Sequence, residues 1–235
     1  MSSTITTIGF DADDTLWHNE SIFKLTEEQF RGMLSDYADP ETVGDKLLAA
    51  EKRNLGHYGF GVKGFTLSMI ETAIEVTGGK VPAATIKEIM EAGRAMLTHP
   101  VETLPGVHDT LDTLAPDYSL ILITKGDLFD QERKLAQSGL GDYFDGVEIV
   151  SDKTPEVYSR IFGRTDGGPD AAMMVGNSMK SDVLPAIEAG STGVHVPHEL
   201  SWALEHAEAP VGSDRFHQIE TLDGLPDLLA QLHTT

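Results

Sequence analysis

Two aspartates in the segment DADDT, Asp11 and Asp13, have the type and spacing needed to bind a cation or attack an electrophile. Side chains alternate along an extended segment, so both carboxylates would point in a similar direction. Carboxylates so close repel each other unless a cation or a shared proton lies between them. Mg²⁺ binds oxygen ligands and fits such a pair. A carboxylate can also attack phosphorus as a covalent nucleophile.

The same segment has two other interpretations, a solvated acidic turn and a calcium-binding loop. A calcium loop requires glycine at its sixth position and glutamate at its twelfth. This chain has Leu16 and Ile22 at those positions, so the calcium loop is excluded. The acidic turn stays open.

Two further polar sets each follow an apolar run. Thr124, Lys125 and Gly126 follow the run SLILI, and Lys153 follows the run VEIV at a distance of three residues. The Thr124 hydroxyl and nearby backbone N–H groups can hold an anion at a helix start, although a threonine there also serves as an ordinary helix cap. Lys153 can neutralise an anion as a point charge, while many isolated lysines are simply solvated.

The last set, GNSMKSD, follows the run AAMMV. Gly176 permits a tight turn, and Asn177, Ser178 and Asp182 supply oxygen atoms beside the start of another helix. A capped loop explains part of this set, but it does not explain why four polar sets all stand behind apolar runs.

Five short apolar segments predict the strands that position these sets. The predicted strands are Thr4–Phe10, Ser119–Ile123, Val147–Val150, Ala171–Val175 and Thr192–Val196. Helical patterns between and after them cover Asp127–Ser138, Pro155–Phe162, Lys180–Ala189 and Leu222–Leu232. Alternating strands and helices indicate an α/β fold with a Rossmann-like parallel sheet, which binds ligands at the carboxyl ends of its strands.

A long insertion without strand pattern separates the first two strands. Its helical patterns predict four helices, at Ser21–Ala38, Pro40–Leu55, Phe65–Thr77 and Ala83–Leu97. A crossover within one sheet does not need four helices. We therefore predict that residues 19–100 form a helical cap and that residues 1–18 and 101–235 form the catalytic core.

The composition restricts the class of partner. The chain has 235 residues, no cysteine and a net charge of −21, which disfavours nucleic acid and anionic membranes as partners. Without cysteine there is no disulfide scaffold, cysteine-ligated zinc, iron–sulfur cluster or thiol nucleophile. The sequence shows neither a signal peptide nor an apolar run long enough to span a membrane, so we expect a soluble cytoplasmic protein.

The four polar sets, in this order, resemble the motifs of the haloacid dehalogenase-like hydrolase superfamily. DADDT is similar to the first motif, Thr124 to the second, Lys153 to the third and GNSMKSD to the fourth. The inserted helices fall where that family carries its C1-type cap, and the resemblance extends from about Ile5 to Val196.

The resemblance implies a role for each matched residue. Asp11 would be the nucleophile that forms an aspartyl-phosphate, and Asp13 would protonate the leaving group and then deprotonate water. Thr124 and Lys153 would hold the phosphoryl oxygens, and we place Lys125 and Gly126 in the same substrate-binding segment. Mg²⁺ would be bound by Asp11, by the backbone carbonyl of Asp13 and by groups of the fourth motif.

The fourth motif departs from the family pattern, because many members have aspartate where this chain has Asn177. An amide oxygen can still coordinate Mg²⁺, but it carries no formal charge. We therefore include both Asn177 and Asp182 among the metal ligands and expect Asp182 to be the main acidic one.

The presence of Asp13 favours a phosphatase that acts on a small phosphomonoester. The dehalogenase branch of the family resembles this motif but lacks an acid at that position. A phosphomutase would carry the same pair, yet it needs a site for a second phosphate, which the sequence does not clearly supply. A catalytically idle member that binds a phosphorylated ligand is the alternative outside the enzyme class.

One loop of the insertion, HYGFGVKG, is the candidate for facing the substrate. Tyr58 and Phe60 can stack on a ring, and Lys63 can meet an anion. An ordinary flexible connection between helices is the alternative. Neither the identity of the substrate nor the oligomeric state can be inferred from the sequence.

Overall fold

The structure is a computed structural model that describes residues 4–200 and 202–233. Its strands are β1 (Thr7–Phe10), β2 (Ser119–Lys125), β3 (Gly146–Val150), β4 (Ala172–Gly176), β5 (Thr192–His195) and β6 (Phe216–Gln218). Its helices are α1 (Glu20–Met33), α2 (Pro40–Tyr58), α3 (Val62–Val76), α4 (Ala83–Leu97), α5 (Val107–Leu114), α6 (Leu128–Ser138), α7 (Pro155–Phe162), α8 (Leu184–Glu188) and α9 (Leu225–Leu232). None of these helices is long and apolar enough to cross a membrane.

The chain folds as two compact units. One contains residues 1–18, 101–125 and 131–235, and the other contains residues 19–100 and 126–130. The second unit therefore includes residues 126–130, around the start of α6, which the predicted range of the catalytic core also includes. The predicted roles of the two ranges as core and cap stay a prediction.

The first unit is built on a sheet of six parallel strands in the order β3-β2-β1-β4-β5-β6. This confirms the predicted α/β fold with a Rossmann-like sheet. In the register of its centre, Phe10 of β1 lies opposite Leu122 of β2 on one side and Val175 of β4 on the other. The four strands that carry the polar sets are therefore consecutive neighbours.

The continuous apolar runs reflect burial of both faces of this sheet. In β2, Leu120 and Leu122 belong to one core cluster, which includes residues of α5 and α9, while Ile121 and Ile123 belong to another, which includes residues of α7. Because successive side chains point to opposite faces, alternate residues of one run enter two different layers. A strand buried on both faces therefore has no polar alternation in its sequence.

Two elements of the first unit escaped prediction, and one has a different form. Helix α5 and the short strand β6 were not predicted; β6 has only three residues, all intermediate or exposed, so it lacks an apolar run. The predicted helix Lys180–Ala189 is a π-helical turn at Met179–Val183 followed by α8. In this turn Ser178 accepts a hydrogen bond from the Ser181 amide through its side chain.

The second unit contains the four helices α1 to α4, as predicted for the insertion. Phe30, Leu47, Met69 and Ile89 come from the four different helices and share one apolar core. Asp39 caps α2 by accepting a hydrogen bond from the Thr42 amide at 2.9 Å.

The connection between α2 and α3 is shorter than the predicted loop. Only residues 59–61 are non-helical, because Tyr58 ends α2 and Lys63 lies in the first turn of α3. Gly59 and Gly61 have φ angles of 71° and 105°, which L side chains rarely adopt. The rest of the segment HYGFGVKG is helical.

Candidate active site

The four polar sets meet at the carboxyl edge of the sheet. Asp11 comes directly after β1, the neighbour of both β2 and β4. Thr124 lies at the end of β2, Lys153 three residues after β3, and Asn177 directly after β4. The parallel sheet therefore gathers residues that are far apart in the chain.

Asp11 is a buried carboxylate held on both oxygens. Lys153 Nζ donates to its Oδ1 at 2.5 Å, and Thr15 Oγ1 donates to its Oδ2 at 3.0 Å. Its backbone amide donates to the Val175 carbonyl at 2.9 Å, which ties the residue to β4. Only 6% of Asp11 is exposed, so the carboxylate is oriented by the protein rather than by bulk water.

A second buried carboxylate, Asp182, shares the same ammonium group. Lys153 Nζ donates to Asp182 Oδ1 at 2.6 Å, and the Ser178 amide donates to Asp182 Oδ2 at 2.9 Å. The side chains of Lys153 and Asp182 are each only 1% exposed. Both oxygens of Asp182 thus already accept from nitrogen donors, which makes this residue an anchor for the lysine.

These contacts perturb the titration of Asp11 and Lys153. Burial, reinforced by the charge of Asp182, raises the pKa of Asp11 to about 7, against the opposing effect of Lys153. Burial alone would lower the pKa of Lys153, but the charges of Asp11 and Asp182 outweigh it and raise that pKa above its ordinary value. Two buried carboxylates therefore depend on one cation.

Asp13 has a separate environment. Its Oδ1 accepts from Trp17 Nε1 at 2.7 Å and from Lys134 Nζ at 2.5 Å, and its Oδ2 accepts from Gln131 Nε2 at 2.8 Å. Burial alone would raise the pKa of Asp13, but Lys134, Gln131 and Trp17 outweigh it and lower that pKa. The turn that presents Asp13 includes Asp14, which has a positive φ of 61° although it is not a glycine.

Thr15 links the first and fourth sets. Its hydroxyl, besides donating to Asp11, accepts from the Asn177 amide at 3.0 Å and lies 3.4 Å from Asn177 Oδ1. His195 contacts the backbone carbonyl of Asn177 through Nε2 at 3.0 Å. The amide oxygen of Asn177 therefore lies beside the same hydroxyl that donates to Asp11.

Thr124 and Lys125, predicted to bind the substrate together, have different surroundings. Thr124 is 1% exposed, and its hydroxyl makes no hydrogen bond with the residues that the structure describes. Lys125 Nζ instead donates to Glu205 Oε1 at 2.6 Å and to Ser181 Oγ at 2.7 Å. The ammonium group of Lys125 is therefore engaged within the protein.

Glu205 was not singled out from the sequence. Its Oε2 accepts from Ser178 Oγ at 2.6 Å and from Ser181 Oγ at 2.5 Å. Burial would raise its pKa, but Lys125 and the two serine hydroxyls outweigh burial and lower it. This carboxylate joins the end of β2 to the loop that holds Asp182.

The remaining predicted substrate residues belong to the second unit. Tyr58 is 52% exposed, and Lys63 forms an ion pair with Asp127 at 2.8 Å. Phe60 lies between two glycines in the turn that joins α2 to α3, and Gly126 has a positive φ of 142°. That these four residues contact the substrate stays a prediction.

The donor set around Asp11 suits a hard cation such as Mg²⁺. Asp11 and Asp182 carry two charges against the single ammonium of Lys153, so the buried cluster lacks one positive charge. Asn177 Oδ1 adds an uncharged oxygen nearby, and Mg²⁺ binds oxygen ligands. Among residues 4–200 and 202–233, no group of three or more histidines, aspartates and glutamates has a metal-binding arrangement. A cation here would therefore need amide or backbone oxygens as well as carboxylates.

Four residues contact the two aspartates but were not predicted as their partners. Thr15 lies four residues after Asp11 in the same turn, so its position was a usable signal. Trp17 likewise follows Asp13 by four residues. Gln131 and Lys134 lie 118 and 121 residues from Asp13, and no local pattern connects them to it.

Comparison with known proteins agrees with the fold described above. Residues 5–190 match the haloacid dehalogenase-like hydrolase family. A haloacid dehalogenase-like family hydrolase from Xanthomonas campestris, known from its crystal structure, is 41% identical and covers 98% of this chain and 93% of its own, with a TM-score of 0.88.

Two relatives have named activities. A glyceraldehyde 3-phosphate phosphatase from Methanothermobacter thermautotrophicus is 26% identical over 85% of this chain and 89% of its own length. A pyrimidine 5′-nucleotidase from Escherichia coli is 25% identical over 95% of this chain and 97% of its own length. The family match, which spans most of the chain, leads to one conclusion: this protein belongs to the haloacid dehalogenase-like hydrolases.

Proposed function

We propose that this protein is a Mg²⁺-dependent phosphatase that hydrolyses small-molecule phosphomonoesters through an aspartyl-phosphate on Asp11. The observation that carries the proposal is the pair Asp11 and Asp13, two residues apart and each bonded to a different lysine. One carboxylate is buried beside Lys153, and the other is held by Lys134 with its side chain 22% exposed. Two carboxylates in different environments suit two different roles.

In the first step, a carboxylate oxygen of Asp11 attacks phosphorus, and the bond from phosphorus to the ester oxygen breaks. The leaving alcohol takes its proton from Asp13. Lys153 stabilises the Asp11 carboxylate and the phosphoryl oxygens, and the free hydroxyl of Thr124 donates to one of those oxygens. The anionic phosphate beside Asp13 raises the pKa of that carboxyl, which opposes Lys134 and favours the protonated form.

In the second step, water attacks phosphorus, and the bond from phosphorus to Asp11 breaks. Asp13, now a carboxylate, takes the proton of the attacking water. Inorganic phosphate leaves, and Asp11 returns to its starting state. Acid–base catalysis of this kind contributes about 10²–10⁴-fold to the rate.

Mg²⁺ would be held by Asp11, by the backbone carbonyl of Asp13 and by Asn177, and when bound it neutralises charge on the phosphoryl group. Asp182 supplies negative charge to this site and holds Lys153 in place. Its own role as a ligand stays a prediction, because both its oxygens already accept hydrogen bonds from nitrogen.

Asp13 also supports ester hydrolysis over the competing reactions. Dehalogenation releases a halide, which needs no proton, so it does not explain a second oriented carboxylate. An idle binding protein would not need both aspartates. The phosphatase and nucleotidase relatives favour ester hydrolysis over a phosphomutase. The net charge of −21 favours a small phosphorylated metabolite over nucleic acid as substrate.

The test is phosphate release from a panel of phosphomonoesters, with Mg²⁺ and with excess chelator. Wild type should need Mg²⁺, and Asp11→Asn should fall below about 10⁻³ of the wild-type rate, as expected on losing a nucleophile. Asp36→Asn is the matched control, because Asp36 is an exposed aspartate remote in sequence from the four polar sets. Acid quenching with substrate labelled on phosphorus should trap label on wild type and not on Asp11→Asn. Folded, Mg²⁺-loaded protein that hydrolyses no panel member, or an Asp11→Asn variant as active as wild type, would contradict the proposal.

A further inference from the structure

We propose that Gln131 and Lys134 of α6, together with Trp17, are positioning residues that hold Asp13 for proton transfer. This inference rests on the proposed function, because it assigns those residues to the acid–base step of ester hydrolysis. Three hydrogen-bond donors converge on one carboxylate, and two of them come from a helix that follows a different strand. We call these three residues the Asp13 clamp.

The clamp restrains both oxygens of Asp13. Trp17 and Lys134 donate to Oδ1 at 2.7 and 2.5 Å, and Gln131 donates to Oδ2 at 2.8 Å. Donors on both oxygens determine the rotation of the carboxylate plane as well as its position. A carboxylate held by one donor alone would keep freedom to rotate.

Helix α6 is shaped to supply two of these donors. Gln131 and Lys134 stand three residues apart, so they lie on the same helix face. Gln131 is 4% exposed, and the Lys134 side chain is 9% exposed. A lysine ammonium is seldom buried unless it is paired, so its burial here indicates a specific partnership with Asp13.

Gln131 is itself held by a second contact. Its Nε2 donates to the Lys125 carbonyl at 3.2 Å as well as to Asp13, and its Oε1 is buried and makes no hydrogen bond in the part of the chain that the structure describes. The amide therefore presents nitrogen to both acceptors, and rotating it would set Oε1 against the Lys125 carbonyl. Gln131 thus holds the Asp13 carboxylate in one orientation.

This role has a kinetic signature, because proton transfer matters most for esters with basic leaving groups. p-Nitrophenyl phosphate releases a weakly basic phenolate and needs little help from an acid. An alkyl phosphate releases a strongly basic alkoxide and needs Asp13 fully. Loss of the clamp should therefore lower kcat/KM for the alkyl ester more than for the nitrophenyl ester, whereas general damage to the fold should lower both equally.

The deciding variant is Gln131→Met, which removes the amide without changing charge. One hydrogen bond corresponds to about a 5- to 10-fold effect, so the ratio of kcat/KM for the alkyl ester to that for the nitrophenyl ester should fall by about that factor. Lys134→Met should lower the ratio by at least as much, and Lys134→Arg should recover part of it. Gln137→Met is the matched control on the same helix, since Gln137 is exposed and contacts Arg133 instead. Its ratio should not change.

A second measurement does not depend on activity. The chain has only two tryptophans, Trp17 and Trp202, so the indole N–H region of an NMR spectrum is simple to assign with Trp202→Phe. The Trp17 indole resonance should shift in Gln131→Met and Lys134→Met but stay in place in Gln137→Met.

The outcomes separate the two proposals. Equal loss on both esters, or an unchanged ratio in Gln131→Met, overturns the clamp and leaves the phosphatase proposal intact. Wild type that hydrolyses no ester overturns the proposed function and the catalytic role of the clamp, even if the indole resonance responds. An indole resonance that none of the clamp variants shifts overturns the geometry itself.

Discussion

Replacing Lys153 with methionine tests the charge balance of the site directly. The lysine side chain is 1% exposed and bridges Asp11 at 2.5 Å and Asp182 at 2.6 Å. Methionine has similar length and no charge. The substitution would leave two buried carboxylates facing each other without their shared cation.

Breaking a buried ion pair by removing one partner costs about 3–5 kcal/mol. For a chain of this size, about 1 kcal/mol of unfolding free energy corresponds to about 2–4 °C in Tm. We therefore expect Lys153→Met to lower Tm by about 6–20 °C at pH 8 in the presence of chelator. The loss should shrink at lower pH, because Asp11, whose pKa is already raised to about 7, can then take up a proton.

The assay is thermal and urea unfolding, each followed by tryptophan fluorescence and by circular dichroism. Trp17 and Trp202 both lie in the first unit, so fluorescence reports the unit that contains Lys153, whereas circular dichroism also reports the helices of the second unit, which contains Lys87. The matched control is Lys87→Met, because Lys87 pairs with Glu91 at 3.5 Å with side chains 77% and 55% exposed. An exposed pair of this kind contributes at most about 0.5 kcal/mol. Added Mg²⁺ should restore part of the loss in Lys153→Met and change Lys87→Met no more than wild type.

A Lys153→Met variant that loses no more stability than Lys87→Met would refute the reasoning. The double variant Lys153→Met with Asp11→Asn gives a second check. Removing one carboxylate should recover about 0.5–3 kcal/mol, the coupling expected between groups in contact. A double variant as unstable as Lys153→Met alone would show that repulsion between carboxylates is not the cause.

Three further predictions concern single positions. Asp11→Asn should become more stable relative to wild type as pH rises from about 4 to 7 in chelator. The pKa of Asp11 is raised in the folded state, so the contribution of Asp11 to the stability of wild type is lost over that range. Tm measured across pH checks this, and parallel Tm curves for the two proteins would contradict it. The pKa of Glu205 is lowered in the folded state, so its contribution of about 1–3 kcal/mol to the unfolding free energy is present above the unfolded pKa and disappears as pH falls. Glu205→Gln should therefore unfold at a lower urea concentration than wild type at pH 7, and this difference should shrink below about pH 4.5. Gly176→Ala should lower the unfolding free energy by about 1–3 kcal/mol, because a Cβ there overlaps the Asp182 side chain. The control is Gly56→Ala, where a Cβ on α2 meets open space, and this change should be neutral or stabilising in the same urea assay.

Much of the first unit could be predicted because its signals are local. Strands β1 to β5 are short apolar runs, and helices such as α7 carry clear starting signals, including Thr154 at the cap and Pro155 at the first position. The positions of Asp11 and Thr124 followed from one rule, that residues at the carboxyl ends of parallel strands share an edge.

Elements without a local signal were missed. The strand β6 has three partly exposed residues and forms only because β5 offers it an edge. The segment HYGFGVKG was predicted as a loop because of its three glycines, yet only residues 59–61 leave the helices. Packing of α2 and α3 in one apolar core outweighed the weak helix propensity of Gly64.

The amino-acid sequence by itself determined the parallel sheet, the four helices of the insertion and the polar residues behind each strand, because the periodicity of side chains and the residues that begin helices are local properties. Only the tertiary structure determined which charged and polar side chains pair with each other. It paired Lys125 with Glu205 and brought Gln131 and Lys134 of α6 to Asp13, over separations of 80 to 121 residues. Local patterns cannot encode such pairs, since a buried charge is matched by whichever group the packing of distant elements brings within reach.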